Sequence, residues 1–377
     1  MAINRRQILK YAAGISTLSV LRPGWAGASQ IAFPNEEPEA LFVGATLTNG
    51  EARWSAVTTN GKLYRSGSLP YRGHGIIPWT EKQGFVLLGR SPSTFGLAVT
   101  HLQDAPEEIF FEAAPGRHFH GHACFSQDGR LLYTTENDSR SGAGKLGVRR
   151  VDANFEQIDE LDLNGIGPHD LLLLPDGRSL AIAIGGILTL PDQPEEKLNL
   201  DTMESGLFYV DTERLRVTSR YRSPYPQLSV RHLTLDHQGR VWFGCQYEGL
   251  PTDDVPLAGF HHPSRPELTF LSIESTDWTS FKQYVGSVAF QMDDRVIAMS
   301  SPKGNGIGFW SADEGIYLGF QSGTDVCALA PVHASPNGHW LVGSGKGKLM
   351  ALSRKPGDLI ETFDTLPTQW DNHAILL

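Results

Sequence analysis

The sequence predicts an all-β chain folded as a seven-bladed β-propeller whose last blade is closed by N-terminal strands. Three observations carry the prediction: a β-rich unit that recurs along the chain, a spacing between units that suits four-stranded blades, and a final unit that stops after one strand. With 377 residues, 40 Gly and 23 Pro, the chain is rich in turns and long enough to bury a large core in one all-β domain.

In chain order, the first 28 residues stand apart from that domain. Arg5, Arg6 and Lys10 precede the short apolar stretch "YAAGISTLSVL", and the small residues Ala26–Ala28 offer a cleavage site. The order Arg5-Arg6-Gln7-Ile8-Leu9-Lys10 resembles a twin-arginine export signal. Arg22, between the apolar stretch and the cleavage site, favours that route over an ordinary secretory signal. The expected organisation is a signal peptide over 1–28, a linker over 29–40 and the propeller over 41–377, with the mature protein soluble in the periplasm. No apolar run reaches the ~18 residues a membrane span needs. Formal charge is −10, and removing the four basic residues of the signal, with no acidic one, takes it to −14. An acidic body argues against nucleic acid and anionic lipid as partners.

Three strands follow the linker, "ALFVGATLT", "RWSAVTT" and "KLYRSG". The repeating unit comes next, clearest in "HACFSQDGRLLYTT" from His122, "HDLLLLPDGRSLAIA" from His169 and "HLTLDHQGRVWFGC" from His232. Asp128-Gly129, Asp176-Gly177, Gln238-Gly239 and Asn337-Gly338 supply the positive φ that tight hairpins need. With weaker copies included, units open at 74, 122, 169, 232, 287, 327 and 373, spaced by 40 to 63 residues. The last is the single strand "HAILL". Pairing it with the three N-terminal strands completes the seventh blade and leaves no free edge. Long loops are expected in "GGILTLPDQPEEKLNLDTMESGLFYVD", which ends in the strand "GLFYVD", and in "YEGLPTDDVPLAGFHHPSRPE". Glu136, Asn137 and Asp138 read by default as a surface turn, and Ser141–Gly147 as a hairpin loop.

In a propeller the first strand of each blade lines the central channel, so the residues opening each unit converge near one mouth. Those residues are His74, His122, His169, His232, Ser287, Cys327 and His373. Imidazole suits zinc, copper, nickel and iron, and thiolate adds softness. His118, His120 and His122 fall at alternate positions. If the chain were extended throughout they would share a face with Cys124, but Gly121 interrupts the run. The expected picture has His122 at the channel with His118 and His120 on a loop above it. The candidate metal set is therefore His122, His169, His232 and His373, with His74, His120 and Cys327 as further contributors. Asp170, Asp325, Asp371 and Asn372 stand beside these positions as ligands or as groups that orient imidazoles.

For any single histidine the competing reading is structural, a ring that bonds a neighbouring blade's backbone. Three cysteines far apart, Cys124, Cys245 and Cys327, describe no disulfide framework. The sequence has no paired CxxC, HExxH, CxxCH or GxSxG motif, so no catalytic residue is assigned.

The phrases "GIGPHDLLLLPDGRSLAIAIGGI", "KLNLDTMESGL", "RHLTLDHQGRVWFGCQYEG", "YVGSVAF", "DVCALAP" and "WDNHAILL" resemble a bacterial periplasmic family catalogued as domain of unknown function 1513. The resemblance implies a WD40-like or YVTN-like propeller exported by the twin-arginine route. It also implies imelysin-type or haem-containing periplasmic partners and a setting of iron uptake. It carries over no catalytic residue. This chain reads "GGILTLPD", with Leu190, where members commonly have a histidine. The expected function is a non-enzymatic periplasmic propeller binding iron or copper at the channel mouth. The alternatives are an interaction scaffold with purely structural histidines, and a lactonase-like enzyme or metal-dependent oxidase using the same mouth.

Overall fold

The computed structural model describes residues 40–333, 339–353 and 359–377. The signal segment, nearly all of the linker, and Asn337-Gly338 lie outside the described residues. Seven four-stranded antiparallel sheets are arranged as blades, which makes the chain a seven-bladed β-propeller. Their inner strands are Gly73–Trp79, Arg117–Phe125, Pro168–Leu173, Leu228–Leu235, Ser287–Gln291, Val326–Val332 and Thr368–Leu376. Each inner strand packs on the next, and the seventh packs on the first, so the ring is closed.

Closure of the last blade is the one predicted from the orphan strand. Thr368–Leu376 pairs antiparallel with Leu41–Thr48, followed outward by Glu51–Thr58 and Leu63–Ser68. At the open end of the pair Leu41 and Leu377 exchange both backbone hydrogen bonds, at 2.7 and 2.9 Å. Trp370 is buried on this seam, edge-on to Phe42 at 4.7 Å.

Burial follows position in the blade. Middle strands such as Gly84–Gly89, Phe95–Thr100 and Gly206–Asp211 are buried throughout, because neighbouring blades cover both faces. The outermost strand Arg216–Arg222 alternates exposed and half-buried residues, with arginines outward. Charged outward positions protect such an edge from pairing with other chains. Gly129, Gly177 and Gly239 occupy the hairpin turns with φ of 68 to 75°.

Two local expectations are corrected. Glu136 is not in a surface turn: it lies in the strand Leu131–Asp138, fully buried, its Oε1 accepting from Arg149 Nη2 at 2.8 Å. A buried carboxylate is tolerated there because the guanidinium neutralises it. The segment expected as a long loop after Tyr247 contains the strand Ala258–His261, third in its blade. The other long loop is as expected, crossing residues 185–205 before Gly206–Asp211. Among the described residues, no helix is long and apolar enough to cross a membrane.

Candidate metal centre

Five of the seven unit-opening residues meet at the axis. Ring centroids lie 5.0 Å apart for His74 and His122, 5.0 Å for His122 and His169, 4.7 Å for His169 and His232, 4.9 Å for His232 and His373, and 4.7 Å for His373 and His74. Four of the rings are buried and His373 is half-buried.

A backbone device repeated around the ring produces this convergence. Pairing of each histidine-bearing inner strand slips at the histidine, between Gly73 and Ile76, Phe119 and Ala123, Pro168 and Leu171, and Val230 and His232. The partner strand Leu41–Thr48 slips likewise opposite residues 371–373. A bulge adds a residue to one strand and re-aims the side chain, here from the sheet face to the channel. In blade two the bulge is built on Gly121, at φ +116°. His118 and His120 are accordingly inside the strand, not on a loop above it.

A Cβ on Gly121 would lie 2.7 Å from His74 Cδ2, on a backbone that L residues rarely adopt. Gly121→Ala is therefore expected to lower stability by about 1–3 kcal/mol and to displace His74. Denaturant unfolding and the histidine NMR resonances would check both effects; an unperturbed His74 signal would contradict the packing described.

Hydrogen bonds assign the tautomers. His122 Nδ1 lies 3.1 Å from Asp170 Oδ1, so the carboxylate draws the ring hydrogen to that side and leaves the Nε2 lone pair free. Asp170 is itself fixed by the backbone N–H groups of Leu171 and Leu233, both at 2.8 Å, so its carboxylate ties three successive blades together. His74 Nδ1 donates to Asp371 Oδ1 at 3.4 Å, and Arg72 bonds the other oxygen of that buried carboxylate. Carboxylates behind imidazoles fix ring orientation and raise basicity at the free nitrogen.

The free nitrogens have no protein partner. His122 Nε2, His169 Nε2, His373 Nε2 and both nitrogens of His232 are buried without a hydrogen bond. A structural histidine would bond a carbonyl, and these do not. Leaving such groups unsatisfied costs about 1–3 kcal/mol each.

Two triads could hold a metal ion, His74/His122/His169 and His122/His232/His373, each with candidate ligand atoms within 4.8 Å of one another. Tetrahedral ligation at about 2.1 Å places nitrogens about 3.4 Å apart, so the rings would draw inward by about 1 Å on binding. The triads differ in readiness. His169 Nδ1 accepts from Arg231 Nη1 at 3.2 Å, which puts the hydrogen of the neutral ring on Nε2. The His122/His232/His373 triad has no such conflict.

Protonation would defeat either triad. Burial lowers the pKa of His74 from 6.5 to about 4, against the opposing effect of its hydrogen bond to Asp371. Burial, reinforced by neighbouring cations and histidines, also holds His120, His169, His232 and His373 well below their ordinary range. These five imidazoles are thus neutral, the state a metal requires, at neutral pH.

The remaining predicted residues lie differently. His120 reaches the cluster, 5.3 Å from His169, but its Nδ1 accepts from Asn137 Nδ2 at 2.8 Å, which makes its Nε2 a donor. His118 is occupied by Ser139 and Asn137. Cys327 is not brought to the triads: its thiol donates to the carbonyls of Gly343 at 3.3 Å and Trp370 at 3.4 Å, and burial pushes its pKa up. Ser287 is buried in the one inner strand that pairs without a slip. Asp325 approaches Lys346 at 4.0 Å, and Asn372 donates to the hydroxyl of Tyr284. Leu190, at the departure from the family pattern, is in the 185–205 loop beside Gly142.

Above the rings opens a cavity of about 1090 Å³ whose wall includes His74, His120, His169 and His232. Sequence reasoning missed the basic residues in that wall, among them Arg72, Arg90, Arg231 and Lys303. Arg231 directly precedes His232 and Arg72 lies two residues before His74, and that closeness was the available signal.

A profile of the family described as "Protein of unknown function (DUF1513)" matches residues 67–377. The chain belongs to this family. No curated protein matches it. Among solved structures it is similar to a functionally unknown protein from Desulfotomaculum acetoxidans DSM 771, with a TM-score of 0.63 and 8% identity. That match covers 89% of this chain and 98% of the other, and at such identity it speaks for the propeller architecture alone.

Proposed function

We infer that this DUF1513 protein is a metal-binding propeller that holds one transition-metal ion through His122, His232 and His373, with His74 adjoining. One observation carries the reading: buried imidazole nitrogens from separate blades converge on the axis with no protein partner, and the pivotal ring is oriented by a fixed carboxylate. An all-imidazole set suits zinc, copper or iron. Iron or copper is favoured because the family resemblance implies a setting of iron uptake, and the twin-arginine-like start supports a periplasmic role. Imelysin-type or haem-containing periplasmic proteins are the partners the same resemblance implies. No nucleophile or general base is assigned, so the function proposed is binding and hand-over, not catalysis.

The test is elemental analysis of protein exported by its own signal and purified without chelator, together with a His232→Ala variant. About one ion per chain, lost in the variant, is expected. Metal-free protein whose stability is indifferent to added iron, copper or zinc would overturn the reading and leave the interaction scaffold.

A further inference from the structure

The wall of the mouth cavity holds five basic side chains against three carboxylates, although the chain as a whole is acidic, and part of that positive charge has no partner. Of the carboxylates nearby, Asp371 is taken by Arg72, Glu248 by Lys197, and Asp325 is approached by Lys346. Among the described residues, neither Arg231 nor Lys303 has a carboxylate within ion-pair distance, and Arg90 approaches only Asp371, at 3.8 Å. Glu195 is the remaining acidic group of the wall.

Arg231 is the most telling. Its two terminal nitrogens donate to neutral groups, His169 Nδ1 at 3.2 Å and Gln246 Oε1 at 3.3 Å, while Nε is buried with no partner. Withdrawing a charge from water without a counter-charge is costly, so a guanidinium held this way is poised for an anion. Lys303 is steadied over the ring of Tyr284, 4.5 Å from its centroid, with its ammonium at the cavity. The cavity of about 1090 Å³ is far larger than a lone ion with a few waters requires, and it falls at the upper end of small-molecule sites.

We propose that this cavity binds a small polyvalent oxyanion, of the carboxylate or phosphate class, held by Arg90, Arg231 and Lys303 directly above the imidazoles. Guanidinium forks match either anion bidentately, and the ammonium adds a point charge. The anion's further part, supplying oxygen to the open side of the ion so that metal is carried as an anionic chelate, rests on the metal reading; its binding to the cavity rests on the cations alone.

The experiment is isothermal titration of citrate and of inorganic phosphate into chelator-treated and metal-loaded protein, repeated on an Arg90→Gln, Lys303→Gln double variant. Both side chains are exposed, so the variant retains the fold. Binding of at least one anion to the metal-free protein is expected, weakened about 10-fold or more in the variant and by raised salt. Tighter citrate assigns the carboxylate class, and tighter phosphate the other. Metal loading should strengthen the preferred anion about 10-fold. No binding in either state, or binding indifferent to the double variant, overturns the proposal. Metal uptake in anion-free buffer on the same samples reads the metal site by itself, so failure of one reading is distinct from failure of the other.

Discussion

Replacing His122 by alanine is expected to abolish high-affinity metal binding, with a loss well above the roughly 10–100-fold typical of an outer-sphere change. His122 is common to both possible triads, so its removal cannot be offset by exchanging one set for the other. Asp170→Asn separates ligation from positioning. The variant keeps the size of the side chain but removes the carboxylate charge that stands 3.1 Å from His122 Nδ1. Affinity should fall about 10–100-fold while the ion remains bound at saturating concentration. Titration with a competing chelator measures both. Equal affinity in the wild type and in His122→Ala would dismiss the axial site.

The metal-free protein should be strongly acid-labile, losing most of its stability between about pH 6.5 and pH 4. Burial lowers the pKa of His74 to about 4, whereas an unfolded histidine titrates near 6.5. Within that window the unfolded chain binds more protons than the folded one, so stability is fully present above the window and declines as pH falls. His74 alone accounts for about 3 kcal/mol, and His118, similarly lowered to about 4 by burial, acts in the same direction. His120, His169, His232 and His373 are held low as well. Asp371, which burial raises but His74, Arg72 and Arg90 together hold low, begins to titrate only below this range. Urea unfolding at pH 7, 6 and 5 should give steadily falling midpoints, with a shallower decline in His232→Leu. Flat midpoints from pH 7 to 5 would show that the buried rings do not titrate as described.

The ring and its closure were legible because both rest on periodicity: unit starts at 74, 122, 169, 232, 287, 327 and 373 coincide with the inner strands, and the lone strand at 373 demanded the partner that Leu41–Thr48 provides. The five converging histidines were legible for the same reason. The direction of each side chain was not, because strand alternation holds only until a bulge intervenes. Gly121 hinted at one bulge and the glycines flanking His74 at another, while the bulge at His232 has no glycine beside it in the sequence. Cys327 shows the cost of this: it lies at a slip between Val326 and Ala328, yet its thiol turns to carbonyls of its own and the neighbouring blade. The basic mouth escaped notice because its members come from loops and strands of several blades that are far apart in sequence.

Leu41 and Leu377 stand side by side at the same end of one antiparallel pair, and this decides how the ring would yield to force. Tension drawn between these two residues would load one rung at a time, peeling Phe42 from Leu376 and then Val43 from Ile375. The seam would act as a zipper of low mechanical strength, where the same pair pulled from opposite ends would resist in shear. A propeller closed in this way can be thermodynamically firm and still open readily to a machine that tugs on the chain.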